Sequence, residues 1–148
     1  MRVREIMKKK VHTVAPSENV VAVVNRFRAN RIHHLVVANG SKVVGLVSHH
    51  DIHRAAEENP EQTQVSDVMT EDVVTIDANA TVREAANKMR GRTIGCLPVT
   101  DEKKLVGIIT RSDLVDLIGR GALIPARKGE RREMRTQIPG RQRRAGGR

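Results

Sequence analysis

Gly45-Leu46-Val47-Ser48-His49-His50-Asp51 and Gly107-Ile108-Ile109-Thr110-Arg111-Ser112-Asp113 carry one pattern: a glycine, two apolar residues, a hydroxyl residue, two variable positions and an aspartate. They lie 62 residues apart, and the same gapless offset carries Met7 to Met69, Val11 to Val73, Thr13 to Thr75, Val20 to Val82, Asn25 to Asn87, Ile32 to Ile94 and Leu35 to Leu97. Self-similarity at so many spaced positions marks a structural repeat. Within each pattern an apolar run gives way to Ser/Thr-x-x-Asp, the signature of a strand that ends where a helix begins under a capping box.

Working outward, each copy reads as a lead-in ending in Met, a short strand, a helix, two strands joined by a polar turn, and a closing helix. In the second copy Val73-Val74-Thr75-Ile76 is a β-branched run, and Asp77 to Thr81 supply turn and cap residues. A helix to about Arg90 follows, with Val82, Ala85, Ala86 and Met89 predicted inward. Residues 96–100 and 104–110 form strands around Asp101-Glu102-Lys103, and 111–119 close the unit. In the first copy the elements are a strand near Thr13, a helix from Ser17 to Ala29 with Val20, Val23, Val24 and Phe27 inward, and strands 34–38 and 42–48 around Asn39-Gly40-Ser41. A unit of roughly 55 residues buries too little surface to fold alone, so two copies form the smallest folding body. The predicted fold class is α/β (α+β): two βαββα repeats packed as a pseudo-two-fold pair, with a basic C-terminal tail. The expected boundaries are 1–57, a linker at 58–64, 65–119, and the tail 120–148.

The 148 residues are 39% hydrophobic with one Phe and no Trp or Tyr, so an aliphatic core is expected and the composition argues against base stacking on exposed aromatics. Cys96 is the lone cysteine, and no segment has the order of a signal peptide or the roughly 20 apolar residues of a membrane span, so a soluble cytoplasmic protein is expected. The formal charge is +10, of which residues 120–148 hold +8, with ten Lys/Arg and two Asp/Glu. The body is close to balanced.

The duplicated Gly-x-x-Ser/Thr-x-x-Asp pattern, the lead-ins Val3-Arg4-Glu5-Ile6-Met7 and Val65-Ser66-Asp67-Val68-Met69-Thr70, and Ile94-Gly95-Cys96-Leu97-Pro98-Val99 together resemble the cystathionine-β-synthase (CBS) domain pair, or Bateman-type module, over residues 1 to about 119. The resemblance implies an adenine-nucleotide site. It assigns Asp51 and Asp113 to ribose hydroxyls, for which a carboxylate offers two acceptor oxygens, and Ser48 and Thr110 to ribose or phosphate at a helix start. It places the adenine between Thr75 to Ala78 and Ile94 to Pro98 in the second copy, naming Thr75, Ile76, Ile94, Gly95, Cys96 and Pro98. In the first copy it places the ring between Thr13 to Pro16 and Ile32 to Leu35, naming Thr13 and His34. Arg31, Arg92 and Arg111 are the expected phosphate partners. The repeat register sets His33 and His34 against Gly95 and Cys96, so the Asp113 site is the one expected to fill if only one does.

All six histidines lie in the first copy, and His49 and His53, one helical turn apart, are the weak metal candidates in a chain for which no metal is expected. No nucleophile-and-base set and no Walker-type glycine loop occurs, so a non-enzyme is expected. The resulting expectation is a regulatory module binding AMP, ADP, ATP or a related adenosyl ligand, with no required cofactor. A homodimer, implied by the resemblance, and a protein partner of unknown identity complete it. The alternative is a scaffold whose basic tail binds nucleic acid or an acidic protein.

Overall fold

The computed structural model describes residues 1–121, of which Met1–Asp116 form one compact unit. The tail expected over 120–148 lies almost entirely outside the described residues. Each repeat opens with one helical turn, α1 (Val3–Ile6) or α4 (Val65–Val68). A two-residue strand follows, β1 (Thr13–Val14) or β4 (Ile76–Asp77), then a helix, α2 (Val20–Asn30) or α5 (Val82–Arg92). A hairpin of β2 (His34–Asn39) and β3 (Lys42–Ser48), or β5 (Cys96–Asp101) and β6 (Lys104–Thr110), leads into α3 (His49–Glu58) or α6 (Arg111–Gly119). The two three-stranded sheets have orders β1-β2-β3 and β4-β5-β6, the outer short strand parallel and the hairpin antiparallel. Their registers correspond pair by pair: Thr13 opposite Val36 and Ile76 opposite Val99 differ by one step, and both hairpins shift register at the same place, after Val37 and after Val99.

Local chemistry sets the helix starts. The Asn19 side chain accepts the Val21 N–H at 2.9 Å, so α2 begins at Val20 and not at Ser17; Ser17 and Glu18 belong to the preceding turn, where Glu18 accepts the Ala15 N–H at 3.0 Å. At α5 the Thr81 hydroxyl accepts the Glu84 N–H and Glu84 accepts the Thr81 N–H, at 3.1 and 2.6 Å. These bonds from Thr81 hold the Glu84 carboxyl below its usual pKa. On α5, Val82, Ala85 and Met89 are buried, but Ala86 is exposed, one step past the edge of the apolar stripe. The run Val73 to Ile76 forms strand only from Ile76, and Val74 packs as a half-buried residue against the second core.

Among the described residues there are two aliphatic cores, and each borrows from the other repeat. Val65 is buried among Val14, Val20, Val23, Phe27, Leu35 and Ile52 of the first repeat, while Val3 is buried among Ile76, Ala85, Met89, Leu97 and Ile109 of the second. The exchange obeys the two-fold: Val3 N–H donates to Ala80 O and Val65 N–H to Glu18 O, and the bridges Lys8–Ile108 and Arg2–Thr81 are matched by Thr70–Leu46 and Gln64–Asn19. The motif glycines follow from it. A Cβ on Gly107 would sit 2.5 Å from Met7 Sδ, and one on Gly45 would sit 2.5 Å from Met69 Sδ. Each lead-in methionine therefore lies across the glycine of the other repeat. Among the described residues no helix is long and apolar enough to cross a membrane.

Candidate functional site: a basic cleft

Because β6 ends at Thr110 and α6 starts at Arg111, the second motif presents a helix start at the mouth of a cleft of about 790 Å³. Thr110, Arg111, Ser112, Ile108 and Gly95 form one wall. The other comes from the first repeat: Lys8, Lys9, Lys10 and His12 from the lead-in, and Asn30, Arg31, Ile32, His33 and His34 from the turn between α2 and β2. From the sequence, Thr75 to Ala78 are expected to wall the Asp113 site and Ile32 to Leu35 a separate one; the lining of this cleft joins Ile32, His33 and His34 with Thr110 and Gly95. The two-fold brings the turn before β2 of one repeat against the end of β6 of the other, so the wall is shared.

The capping box at this mouth is complete. The Thr110 N–H and hydroxyl both donate to Asp113 Oδ2, at 2.8 and 3.0 Å, and the Asp113 N–H donates to Thr110 Oγ1 at 3.3 Å. The second carboxylate oxygen, Oδ1, faces Lys8 Nζ at 3.4 Å, with the Asp113 side chain only 9% exposed. Arg111 is tied to the facing segment, its backbone N–H donating to Gly95 O at 2.8 Å and its guanidinium to Ile94 O at 3.2 Å. Cys96, buried behind Gly95, has its thiol pushed up to about 12 by burial and by the Asp113 carboxylate.

The first motif is capped on one side only. The Asp51 N–H donates to Ser48 Oγ at 3.2 Å, while the Asp51 carboxylate pairs with Arg54 at 3.6 Å. His49 N–H donates to His33 O at 2.9 Å, the counterpart of Arg111 to Gly95.

Of the residues singled out by sequence, Thr110, Arg111, Gly95, Arg31 and His34 line this cleft, and Asp113 contacts two of its lining residues, Lys8 and Thr110. Ile94 reaches it through Arg111. Ser48 and Asp51 cap the start of α3, the pseudo-equivalent position. Arg92 lies in a different hollow, of about 360 Å³, with Val74, Asn87, Lys88 and Gly91. Thr75 accepts a hydrogen bond from Lys88 at its carbonyl, Ile76 is 2% exposed in the second core, and Pro98 is buried on β5 opposite Ile108. Thr13 pairs with Val36, its carbonyl accepting from Arg26 at 3.0 Å. Sequence reasoning missed Lys8, Lys9 and Lys10. The signal was there: the offset aligns them with Thr70, Glu71 and Asp72, a reversal of charge inside an otherwise constant register.

The histidines form their own cluster. His49 and His53 have ring centroids 4.2 Å apart, Phe27 meets His49 edge-on at 5.4 Å, and His53 Nε2 is buried without a hydrogen-bond partner among the described residues. Desolvation, and then repulsion from His53, His33 and His50, lowers the His49 pKa; desolvation and His33 lower that of His34, against the pull of Asp51. Among the described residues no group of three or more His, Cys, Asp or Glu is placed to hold a metal ion.

The model of the CBS domain matches residues 3–58 and again 65–120. A CBS domain-containing protein of Dictyostelium discoideum is 35% identical over 130 residues, covering 78% of this chain and 90% of that protein. An inosine-5'-monophosphate dehydrogenase of Methanocaldococcus jannaschii is 36% identical over 113 residues, 75% of this chain but only 22% of the enzyme. Among solved structures, a CBS domain pair in complex with 5'-methylthioadenosine and S-adenosyl-L-methionine superimposes with TM-score 0.73 at 28% identity, covering 82% of this chain and 98% of that one. With the exchanged lead-ins, the paired sheets and both motifs in place, the chain belongs to the CBS domain family and is built as a tandem pair.

Proposed function

We propose that this chain is a regulatory module that binds an adenine nucleotide in the basic cleft and passes its occupancy to a partner. The observation that carries the reading is the cleft itself. The partly buried Asp113 carboxylate stands at a helix start, apolar Ile32 and Ile108 face a common space suited to a flat ring, and Lys and Arg side chains line the cleft. Free amides at a helix start favour phosphate or other anionic groups, and a carboxylate suits a diol. The liganded CBS pair supports the adenosyl half of this reading. The whole-enzyme activities of the longer relatives are not carried over, because the matched region is a small part of them. The lone thiol of Cys96 and the absence of any disulfide partner fit a reducing cytoplasm. The homodimer implied by the family is in keeping with apolar Val21 and Val115, which are 44% and 61% exposed on α2 and α6.

The test is calorimetric titration of the full chain with AMP, ADP, ATP and adenosine, beside native mass spectrometry for retained nucleotide. Asp113→Asn keeps an oxygen to accept from Thr110 while removing the charge, so folding persists and binding weakens. Absence of heat and of any thermal shift at millimolar ligand in the wild type refutes the reading.

A second reading rests on the +8 charge of residues 120–148: a contact with RNA, DNA or an acidic protein. Such affinity falls steeply with salt and is lost when residues 120–148 are removed. Binding unchanged by that truncation refutes it.

A further inference from the structure

Among the described residues the cleft is lined by five Lys or Arg side chains, Lys8, Lys9, Lys10, Arg31 and Arg111, and by no acid. Among the described residues Lys9, Lys10 and Arg31 are in no ion pair. The 62-residue offset puts Thr70, Glu71, Asp72, Thr93 and His49 at the positions that correspond to these five cations. The two sets of positions thus share a register and differ in charge, five cations against two acids with no Lys or Arg.

Lys8 sits at the centre of this difference. Its backbone is fixed by paired hydrogen bonds with Ile108, each 2.9 Å, while its side chain is 64% exposed and reaches Asp113 Oδ1. Asp113 Oδ2 is committed to Thr110, so Oδ1 is the oxygen left for a ligand, and Lys8 covers it. A sugar diol reaches the carboxylate only when Lys8 lets go. A phosphate on the same ligand, drawn to the rim cations, offers Lys8 a replacement anion; a neutral nucleoside offers none.

The geometry points to Lys8 as the specificity-determining residue of the cleft: it exchanges Asp113 for a ligand phosphate, so the cleft selects phosphorylated nucleotides over nucleosides and takes one of them per chain. The inference rests on the reading of the cleft as a nucleotide site and goes beyond it by assigning the selectivity to one side chain.

Lys8→Met keeps the length of the side chain and removes its charge at an exposed position, so the fold is retained. Titration of wild type and variant with ATP and with adenosine decides the matter. Losing a charge-assisted contact weakens ATP about tenfold or more. Freeing Asp113 from a partly exposed ion pair strengthens adenosine by about two- to fivefold. The preference for ATP over adenosine therefore collapses in the variant, and ATP binds the wild type at one equivalent per chain. Parallel losses for both ligands, or an unchanged preference, overturn the role of Lys8 and leave the nucleotide site standing. Two equivalents of ATP per chain overturn the charge argument. A wild type that binds neither ligand removes the site and this inference together.

Discussion

Gly45 and Gly107 occupy equivalent places in the two repeats, yet adding one methyl group to each has unequal consequences. At Gly45 the three nearest atoms to a Cβ all belong to the Met69 side chain, Sδ at 2.5 Å, Cγ at 3.0 Å and Cβ at 3.2 Å. At Gly107 it meets Met7 Sδ at 2.5 Å and Met7 Cγ at 3.0 Å, and also the Lys8 carbonyl oxygen at 3.0 Å. Apolar atoms rest about 3.5–4.0 Å apart, so both methyl groups intrude by about 1 Å. A thioether has rotamers to yield with. The Lys8 carbonyl has none, because it accepts the Ile108 N–H at 2.9 Å in the bridge that joins the repeats. Overpacking by one methyl group costs about 1–3 kcal/mol. Gly45→Ala belongs at the low end of that range, about 1 kcal/mol, and Gly107→Ala at the high end, about 3 kcal/mol.

Far-UV circular dichroism is the assay, since the chain has no Trp or Tyr. At about 3 °C per kcal/mol for a body of this size, the melting temperature falls about 3 °C for Gly45→Ala and about 9 °C for Gly107→Ala. Shortening the methionine separates the two causes. Met69→Ala added to Gly45→Ala gives costs well below additive, whereas Met7→Ala added to Gly107→Ala recovers only part, because the carbonyl stays in place. Equal losses for the two alanines, or strict additivity in both cycles, would refute the claim that the lead-ins lie across the motif glycines of the opposite repeat.

Arg31 and Thr93 end α2 and α5 in the left-handed region at φ 50 and 54, where side chains are strained. Thr93→Gly and Arg31→Gly are each expected to raise stability by about 0.5–1 kcal/mol, but only Arg31→Gly weakens ATP, since Arg31 alone lines the basic cleft; thermal melts and titrations check both, and an equal effect on binding contradicts the assignment. With its thiol at about 12, Cys96 in the folded chain resists iodoacetamide at pH 8 and reacts at an ordinary rate in urea. Labelling at equal rates in the two states contradicts the burial of Cys96.

The element order was legible because a gapless repeat doubles every signal: a cap, a β-branched run or a turn that is ambiguous in one copy is read in the other. Two local readings failed for local reasons. Ser17 has the residue type of a helix start, but Asn19 holds the cap through Val21, and the i+4 spacing from Val82 predicts Ala86 inward although the buried face of α5 runs through Val82, Ala85 and Met89. The larger gap was partnership. A register of 62 residues is satisfied equally well whether Val3 packs on its own repeat or on the other, because symmetry makes the two arrangements identical in sequence pattern. Only coordinates distinguish them, and they place Val3 in the second core and Val65 in the first.

That exchange also explains why the cleft has the composition it does. If each repeat kept its own lead-in, Lys8 to Lys10 would lie beside the first motif with Ser48 and Asp51, and Glu71 and Asp72 beside Asp113, setting acid against acid. Crossing the lead-ins brings the lysines to the motif whose carboxylate is left with one uncommitted oxygen, and sets Thr70 in the bridge with Leu46 beside the first motif, where Asp51 already has Arg54. The pseudo-two-fold preserves the backbone plan and the divergence of a few residues supplies the asymmetry, so that two copies of one unit carry lead-ins of unlike charge. Ligand choice in such a pair depends on contacts between repeats, and a substitution in the lead-in of one repeat acts on the site whose motif belongs to the other.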